Sequence, residues 1–579
     1  MLNYRDWPNL PAMMFALART WPDRPMLRVF RDGAWRSIRW AAFAQRAAAV
    51  ARGLRAAGIA PGDRVLIASE NRPEYPIAET ALMAIRAVPV PAYVTNTIDD
   101  HAHLLRDSGA RAALVSSPAL AARLHEAGKR AGGLDLLVSM DGPGESGMDP
   151  PPALPWSRLA GEPGEPGAFE RETAEIPAAA LACLLYTSGT GGAPKGVMLP
   201  HRSLMANCAS GCALLRPMRF QDEIYLSYLP TAHAYEHLVG LFLMPSLGTE
   251  VVYGRGADHL GADLVEVRPT VLTAVPRVLE VFRARVLGQL AREAAWRRRL
   301  FDQALAIGRK RLGGAGLTVR ERLAAAVLDR TVGAKVRARF GGRVKGIMSG
   351  GARLDSELGL FFLALGLRIM QGYGQTEAGP VITANPPDAI RIETVGKPLT
   401  GVELRIAEDK EILVRGELVM DGYWNRPPET HAAIRDGWLH TGDIGVLEPD
   451  GYLRITDRKR DIIVLSGGEN VSPAKVEDAL MAEPEVAQAV VTGDGRAGLT
   501  GLLVPADGHD NAAVARALAR ANRRLSVTER VRRHTIVAPF TVENGLLTPS
   551  QKIRRSRVIR ANAAALAGIS HGRPDRDRW

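Results

Sequence analysis

Between Tyr186 and Gly196 the chain reads Tyr-Thr-Ser-Gly-Thr-Gly-Gly-Ala-Pro-Lys-Gly, which places three Ser/Thr hydroxyls, four glycines and one lysine in eleven positions. The apolar run before it, Ala178 to Leu185, reads as a buried strand. Glycines let backbone N–H groups turn toward an anion with no Cβ in the way. The hydroxyls of Thr187, Ser188 and Thr190 donate to its oxygens, Gly189 frees the turn, and Lys195 adds a mobile charge. Such a loop is built for phosphates. No Gly-Lys-[Ser/Thr] closes it, so it is not a Walker A loop. A Gly/Ser/Thr cluster alone equally describes a plain surface connection, and the assignment turns on what else the chain carries.

At 579 residues the chain exceeds what one hydrophobic core supports, and two or more domains are expected. Its 46% hydrophobic and 23% charged residues are those of an ordinary globular protein. No apolar run approaches the roughly 20 residues of a bilayer span; Leu238 to Leu247 and Leu358 to Met370 are short and broken. The N-terminus lacks a signal-peptide core, and a cytoplasmic location is expected. Cys183, Cys208 and Cys212 make an odd count, arguing against a disulfide framework and for small buried hydrophobes. The net charge of +12 fits nucleic acid, an anionic membrane or polyanionic small substrates, and does not choose among them. Only ten of the 74 basic residues are lysine, so Lys195 and Lys552 stand out.

From residue 40 to 140, helical stretches (Ala41 to Ile59, Glu74 to Ala87) alternate with strand-like runs (Val65 to Ser69, Val88 to Tyr93, Ala112 to Ser116, Leu134 to Ser139), which predicts a layered α/β fold. The Pro/Gly/Glu-rich segment Asp141 to Gly167 reads as a surface connection. Further strands are expected at Ile224 to Leu229, Glu250 to Tyr253, Thr270 to Val275 and Val344 to Met348. Between the last two, Pro276 to Phe340 is helical and Arg/Ala-rich, either a solvated surface or a face that meets anionic lipid. From Val402 short alternating runs predict a small β-rich subdomain. A last unit, with a helix at Pro473 to Met481, starts near Asp457.

Five further segments follow the loop in order: Ser349-Gly350-Gly351-Ala352, Gln371-Gly372-Tyr373-Gly374-Gln375-Thr376-Glu377, Trp438-Leu439-His440-Thr441-Gly442-Asp443, Asp457-Arg458-Lys459-Arg460-Asp461, and Leu547-Thr548-Pro549-Ser550-Gln551-Lys552. This ordered set resembles the adenylate-forming superfamily of acyl-CoA synthetases, luciferases and peptide-synthetase adenylation domains. The resemblance runs from about residue 20 to about residue 560. It implies a large N-terminal domain of layered α/β subdomains with a β-rich subdomain, residues 1–457, and a small mobile α+β C-terminal domain, residues 458–579.

In that family a carboxylate attacks the α-phosphate of ATP, so the site must neutralise a crowded tetra-anion and leave the phosphorus open. The resemblance gives Thr187, Ser188, Gly189, Thr190 and Lys195 to the β/γ-phosphates, Glu377 with Thr187 to Mg²⁺, and Thr376 to the α-phosphate. Asp443 takes the ribose hydroxyls with Arg458 assisting, while Gly351, Ala352, Gln371, Gly372 and Tyr373 border the adenine. Lys552 bridges carboxylate and α-phosphate during adenylation. Relatives then rotate the small domain about a hinge, here Arg460. That withdraws Lys552 and brings in Gly467 and Gly468, where a narrow pantetheine arm could pass.

The chain departs from the family's pattern at Gly191, where a second threonine is common, at Arg460 and at Gln551; weaker ATP binding is expected from the first. Ser227 to His237 resembles the long-chain branch, and Leu238 to Met244, with Gly240 in its wall, is apolar as an acyl tunnel requires. His233 is a candidate gate at the carboxylate end, against a structural histidine. A fatty acid is the expected substrate. The 27 residues after Lys552 are fewer than the ~50 of a minimal carrier domain, which favours coenzyme A as acceptor. Competing readings are a ligase that loads a separate acyl carrier protein, and a non-catalytic lipid- or nucleotide-binding relative. Peripheral contact with the inner membrane is compatible with the sequence; nucleic acid is not expected as a partner, and oligomeric state is open.

Overall fold

The computed structural model describes residues 3–142, 153–187, 193–459, 461–467, 469–548 and 551–571, the last four of these as backbone only. Ser188, Gly189, Thr190 and Gly191 of the loop, Arg460 and Gly468 lie outside the described residues.

The alternation of strand and helix becomes a five-stranded parallel sheet in the order Val88–Ala92, Arg64–Ala68, Ala112–Val115, Leu136–Ser139, Leu154–Pro155. Its strands are apolar on both faces because helices cover both. Val65 and Ile67 join a core with the helices Trp40–Ala56 and Glu74–Ala84. Leu66 and Ala68, on the opposite face by the two-residue period, pack with Ile98–Ser108 and Pro118–Ala131. The helix Ile98–Ser108 opens on a capping box, Thr97 with Asp100, and closes on Gly109 at φ +69°.

A nine-stranded sheet forms the second layer. Six parallel strands lie at its centre, in the order Ile369–Tyr373, Gly346–Ser349, Val271–Ala274, Ile224–Ser227, Glu250–Tyr253, Pro25–Arg31, with antiparallel strands on both edges. Parallel strands finish on one side, so Ser227, Ala274, Ser349 and Tyr373 end along a common rim, the place where open α/β sheets bind ligands. A three-stranded antiparallel sheet of Leu181–Thr187, Lys195–Pro200 and Gly422–Tyr423 carries the phosphate-loop segment. The β-rich subdomain is a five-stranded sheet of Glu403–Ile406, Glu411–Arg415, Trp438–Leu447, Ile434–Arg435 and Leu453–Arg458. Past it, the C-terminal unit has a core of its own, in which Val476, Leu480, Val491, Leu503, Val514 and Ala517 are buried together.

Two expectations change. The segment Asp141 to Gly167 is more than a surface connection: Trp156–Ala160 is helical, Leu159 is buried, and another helix begins at Pro166. Its prolines and glycines punctuate short helices rather than excluding them. Cys183 and Cys208 are buried as expected, whereas Cys212 is only half-buried. The excursion after Pro276 is helical throughout most of its length, with helices at Pro276–Ala291, Ala295–Leu312, Val319–Leu328 and Ala334–Ala338. Among the described residues no helix is long and apolar enough to cross a membrane.

Within the excursion Gly308 sets a close helix crossing: a Cβ there would lie 2.2 Å from the carbonyl oxygen of Ala364. Backbone cannot yield as a side chain can, so G308A is expected to lower stability by about 1–3 kcal/mol. Urea unfolding checks this, and an unchanged midpoint would show that the two helices are not held at this spacing.

Candidate active site

A cavity of about 630 Å³ opens where the rim of the large sheet, the phosphate-loop hairpin, the β-rich sheet and the C-terminal unit meet. Thr187, Lys195, His233, Gly351, Gly372, Tyr373, Thr376, Glu377, Asp443, Arg458 and Lys552 all line it. Residues from seven separate stretches of sequence thus share one space.

The hairpin that holds the phosphate-binding segment is pinned at both ends by the helix Ile98–Ser108. The Tyr186 hydroxyl donates to Asp107 at 2.9 Å, and His103 Nε2 donates to the Pro194 carbonyl at 2.8 Å. Arg426 adds an ion pair to Asp107 at 2.8 Å. Strand pairing sets Thr187 opposite Lys195. The same hairpin pairs Tyr423 with Val197, which brings in a residue that the sequence did not single out. Its hydroxyl donates to Glu377 Oε1 at 2.9 Å, and the Lys195 ammonium lies 5.0 Å from its ring centre. One tyrosine therefore orients the carboxylate through its edge and the cation through its face.

Asp443 is buried on the strand Trp438–Leu447, directly across from Arg458. Arg458 Nε donates to Oδ1 at 3.1 Å and the Tyr373 hydroxyl donates to Oδ2 at 2.7 Å. Burial and the adjacent Asp443 push the Tyr373 phenol well up, so it stays a donor. The strand just before Asp443 is held by Glu411, which accepts from the Gly442 N–H at 2.9 Å and from Lys459 at 2.9 Å. Lys552 reaches the cavity from the C-terminal unit. Its side chain still borders solvent, yet removal from bulk water lowers its pKa, Arg458 adds to this, and Asp443 and Glu377 oppose it. The lysine thus stands at the cavity with Arg458, Asp443 and Glu377 rather than in a basic tail.

Part of the wall is apolar. Leu214 and Leu215 come from the helix His201–Leu215, Leu238, Val239 and Leu243 from the apolar segment, and Met348 and Met370 from the central strands. His233 stands at the junction, with Nδ1 accepting from the Tyr235 N–H at 3.2 Å. Burial, with Lys552 nearby, drives its pKa down to about 4. The ring is neutral at physiological pH and offers Nε2–H as a donor. Glu236, buried in the following turn, accepts from Tyr225 and Ser227 at 2.6 Å each, and burial raises its carboxyl to about 7.

Three expected positions, Gly240, Ala352 and Gln371, do not line the cavity. Gly240 faces Glu236, whose Oε1 lies 2.4 Å from where a Cβ would be; it makes room for a buried carboxylate, not for an acyl chain. Ala352 points to solvent beyond Gly351, and the buried Gln371 lies below the rim, its carbonyl accepting from Asn385. Gly467 sits in the turn between Ile463–Val464 and Asn470–Val471 of the C-terminal unit, outside the cavity.

For Mg²⁺ the donor set is sparse. Among the described residues no group of three or more His, Cys, Asp or Glu could hold a metal. The single carboxylate of Glu377, with Thr187 at the same cavity wall, suits an ion that completes its octahedron with phosphate oxygens and water.

A sheet rim bearing a glycine-rich hairpin, a buried carboxylate held by a phenol and a guanidinium, and a lysine brought in by a second unit is the arrangement an adenylate-forming enzyme requires. The AMP-binding enzyme family matches residues 14–424, and the AMP-binding enzyme C-terminal domain matches residues 460–569. The chain belongs to this family. Among its relatives, the long-chain-fatty-acid–CoA ligase FadD15 of Mycobacterium tuberculosis is 33% identical over 97% of both chains. Long chain acyl-CoA synthetase 6, peroxisomal, of Arabidopsis thaliana is 30% identical over 94% of this chain and 83% of that one. The fold is shared with the O-succinylbenzoate coenzyme A synthetase of Bacillus subtilis in complex with ATP and magnesium ion. That likeness has a TM-score of 0.71 at 22% identity, over 94% of this chain and 98% of that one. The anthranilate CoA ligase AuaEII gives 0.74 at 19% identity, over 98% and 100%.

Two outcomes are expected. K552A should slow adenylation by about 10²–10³-fold while leaving ATP affinity nearly unchanged, because its charge is needed most in the transition state. Pyrophosphate exchange set against equilibrium nucleotide binding separates the two. H233A should change the magnitude of kcat/KM for the acid but not the shape of its pH profile between pH 5.5 and 8, since the native ring is already neutral there; a limb near the ordinary histidine value that vanishes in the variant would contradict this.

Proposed function

We propose that the protein activates a long-chain fatty acid with ATP and passes the acyl group to coenzyme A. The observation that carries the reading is a single cavity whose lining joins charged groups to an apolar set. Lys195, Glu377, Asp443, Arg458 and Lys552 suit a nucleotide, and Leu214, Leu215, Leu238, Val239, Leu243, Met348 and Met370 supply apolar wall. Apolar walls favour an aliphatic chain by removing its surface from water. Two relatives over most of the chain's length are described as acting on long-chain fatty acids or acyl groups.

In this reading the acid enters with its carboxylate at His233, where Nε2–H orients one oxygen. The other oxygen attacks the α-phosphorus, a P–O bond forms, and the bond to the pyrophosphate oxygen breaks. Lys195 and the hydroxyl of Thr187 hold the departing pyrophosphate. Lys552 neutralises charge between the carboxylate and the α-phosphate. Asp443, steadied by Tyr373 and Arg458, fixes the ribose. Magnesium, carried in by ATP at Glu377, supplies further neutralisation of the phosphates. In the second step a thiolate sulfur bonds to the acyl carbon and AMP leaves. Gly467 and Gly468 border the thiol's path only after the C-terminal unit turns, with Arg460 as the pivot.

A carrier-protein acceptor is the second reading, because the long-chain-fatty-acid–[acyl-carrier-protein] ligase AEE15 of Arabidopsis thaliana is 27% identical over 96% of this chain and 86% of that one. A panel of acids from acetate to oleate, scored for AMP release with and without coenzyme A, tests both. Rates should rise with chain length, and thioester should form only with coenzyme A present. Activity confined to short or aromatic acids would defeat the substrate assignment, and adenylate that accumulates without thioester would defeat the acceptor.

A further inference from the structure

The helix Val319–Leu328 turns an apolar row outward. Val319 is 71% exposed, Leu323 66% and Val327 59%. They recur every four residues, so they form one ridge along the helix. The side that packs inward is made by Ala324, Ala325 and Leu328. Nothing about forming the helix requires the outer row: the capping box of Thr318 and Glu321 starts it whatever faces solvent. Three large aliphatic side chains presented together are a feature that a monomer's surface avoids unless something covers it.

Charge identifies the cover. Residues 276–340 contain 16 basic and five acidic residues, a net of +11 against +12 for the whole chain. Four of the five acids are already spent on basic partners within the region, Glu280 on Arg277, Glu293 on Arg297, Glu321 on Lys310 and Asp329 on Arg337. Arg320, Arg322 and Arg330 are exposed beside the ridge. An aliphatic ridge flanked by cations complements a bilayer with anionic headgroups, where side chains enter the acyl boundary and guanidinium groups meet phosphate. A second copy of the chain would bring an equally positive surface against this one.

We propose that this face docks the protein peripherally on an anionic lipid bilayer. The proposal extends the functional reading by placing the enzyme at a surface where fatty acids partition, but it stands independently of which acid is used. Cosedimentation with vesicles of phosphatidylcholine alone, or with about one third phosphatidylglycerol, tests it with the full-length protein. The native chain should sediment with the anionic vesicles and not the neutral ones. Both V319S/L323S/V327S and R320Q/R322Q/R330Q should lose about tenfold or more in partitioning. ATP–pyrophosphate exchange with octanoate, measured without vesicles, should be unchanged in either variant, which shows that they remain folded. Equal binding to neutral and anionic vesicles, or native-like binding by either variant, would overturn the proposal. A native dimer split by the serine variant, with vesicle binding unaltered, would assign the face to a second copy instead.

Discussion

The site depends on keeping opposite charges close without letting them quench one another. A nucleotide triphosphate needs cations, and the metal it carries needs a carboxylate within the same few ångströms. Had Lys195 paired directly with Glu377, neither would be free for its ligand. Tyr423 prevents that: its ring takes the ammonium and its hydroxyl takes the carboxylate. Asp443 follows another route, with one oxygen held by a phenol and the other by a single guanidinium nitrogen, so that each retains acceptor capacity.

These arrangements explain why the scaffold is layered as it is. The phosphate hairpin belongs to neither large sheet, yet it pairs with Gly422–Tyr423 and is anchored to the helix Ile98–Ser108. A helix of the first α/β layer and a strand from the chain that leads into the β-rich sheet thus converge on one short segment. A loop rich in glycine has little conformational preference of its own, and its flanks must be fixed from outside.

Much of this was legible in the sequence, for identifiable reasons. Strands buried on both faces are continuous apolar runs, so Val88–Ala92 and Ala112–Val115 were visible within a residue. Thr376, Glu377 and Asp443 lie in short segments rich in glycine and hydroxyl residues, which is why they could be singled out from the sequence, and all three line the cavity. Tyr423 and His103 could not be, because a lone aromatic ring or imidazole gains its role only through a tertiary contact dozens of residues away. Gly240 shows the converse. An apolar stretch with a glycine looks like a tunnel wall, but the space is used by Glu236, whose burial no periodicity announces. Ala352 and Gln371 flank residues that do line the cavity; a motif marks a segment, and only the backbone path decides which of its members turn inward.

Arg458 does two things at one position. It ends the last strand of the β-rich sheet, where the chain departs for the C-terminal unit, and it holds the carboxylate of Asp443. A change in the direction in which the chain leaves that strand therefore tugs on the guanidinium that steadies Asp443. The hold on Asp443 and the direction in which the chain leaves for the smaller unit thus become a single mechanical variable.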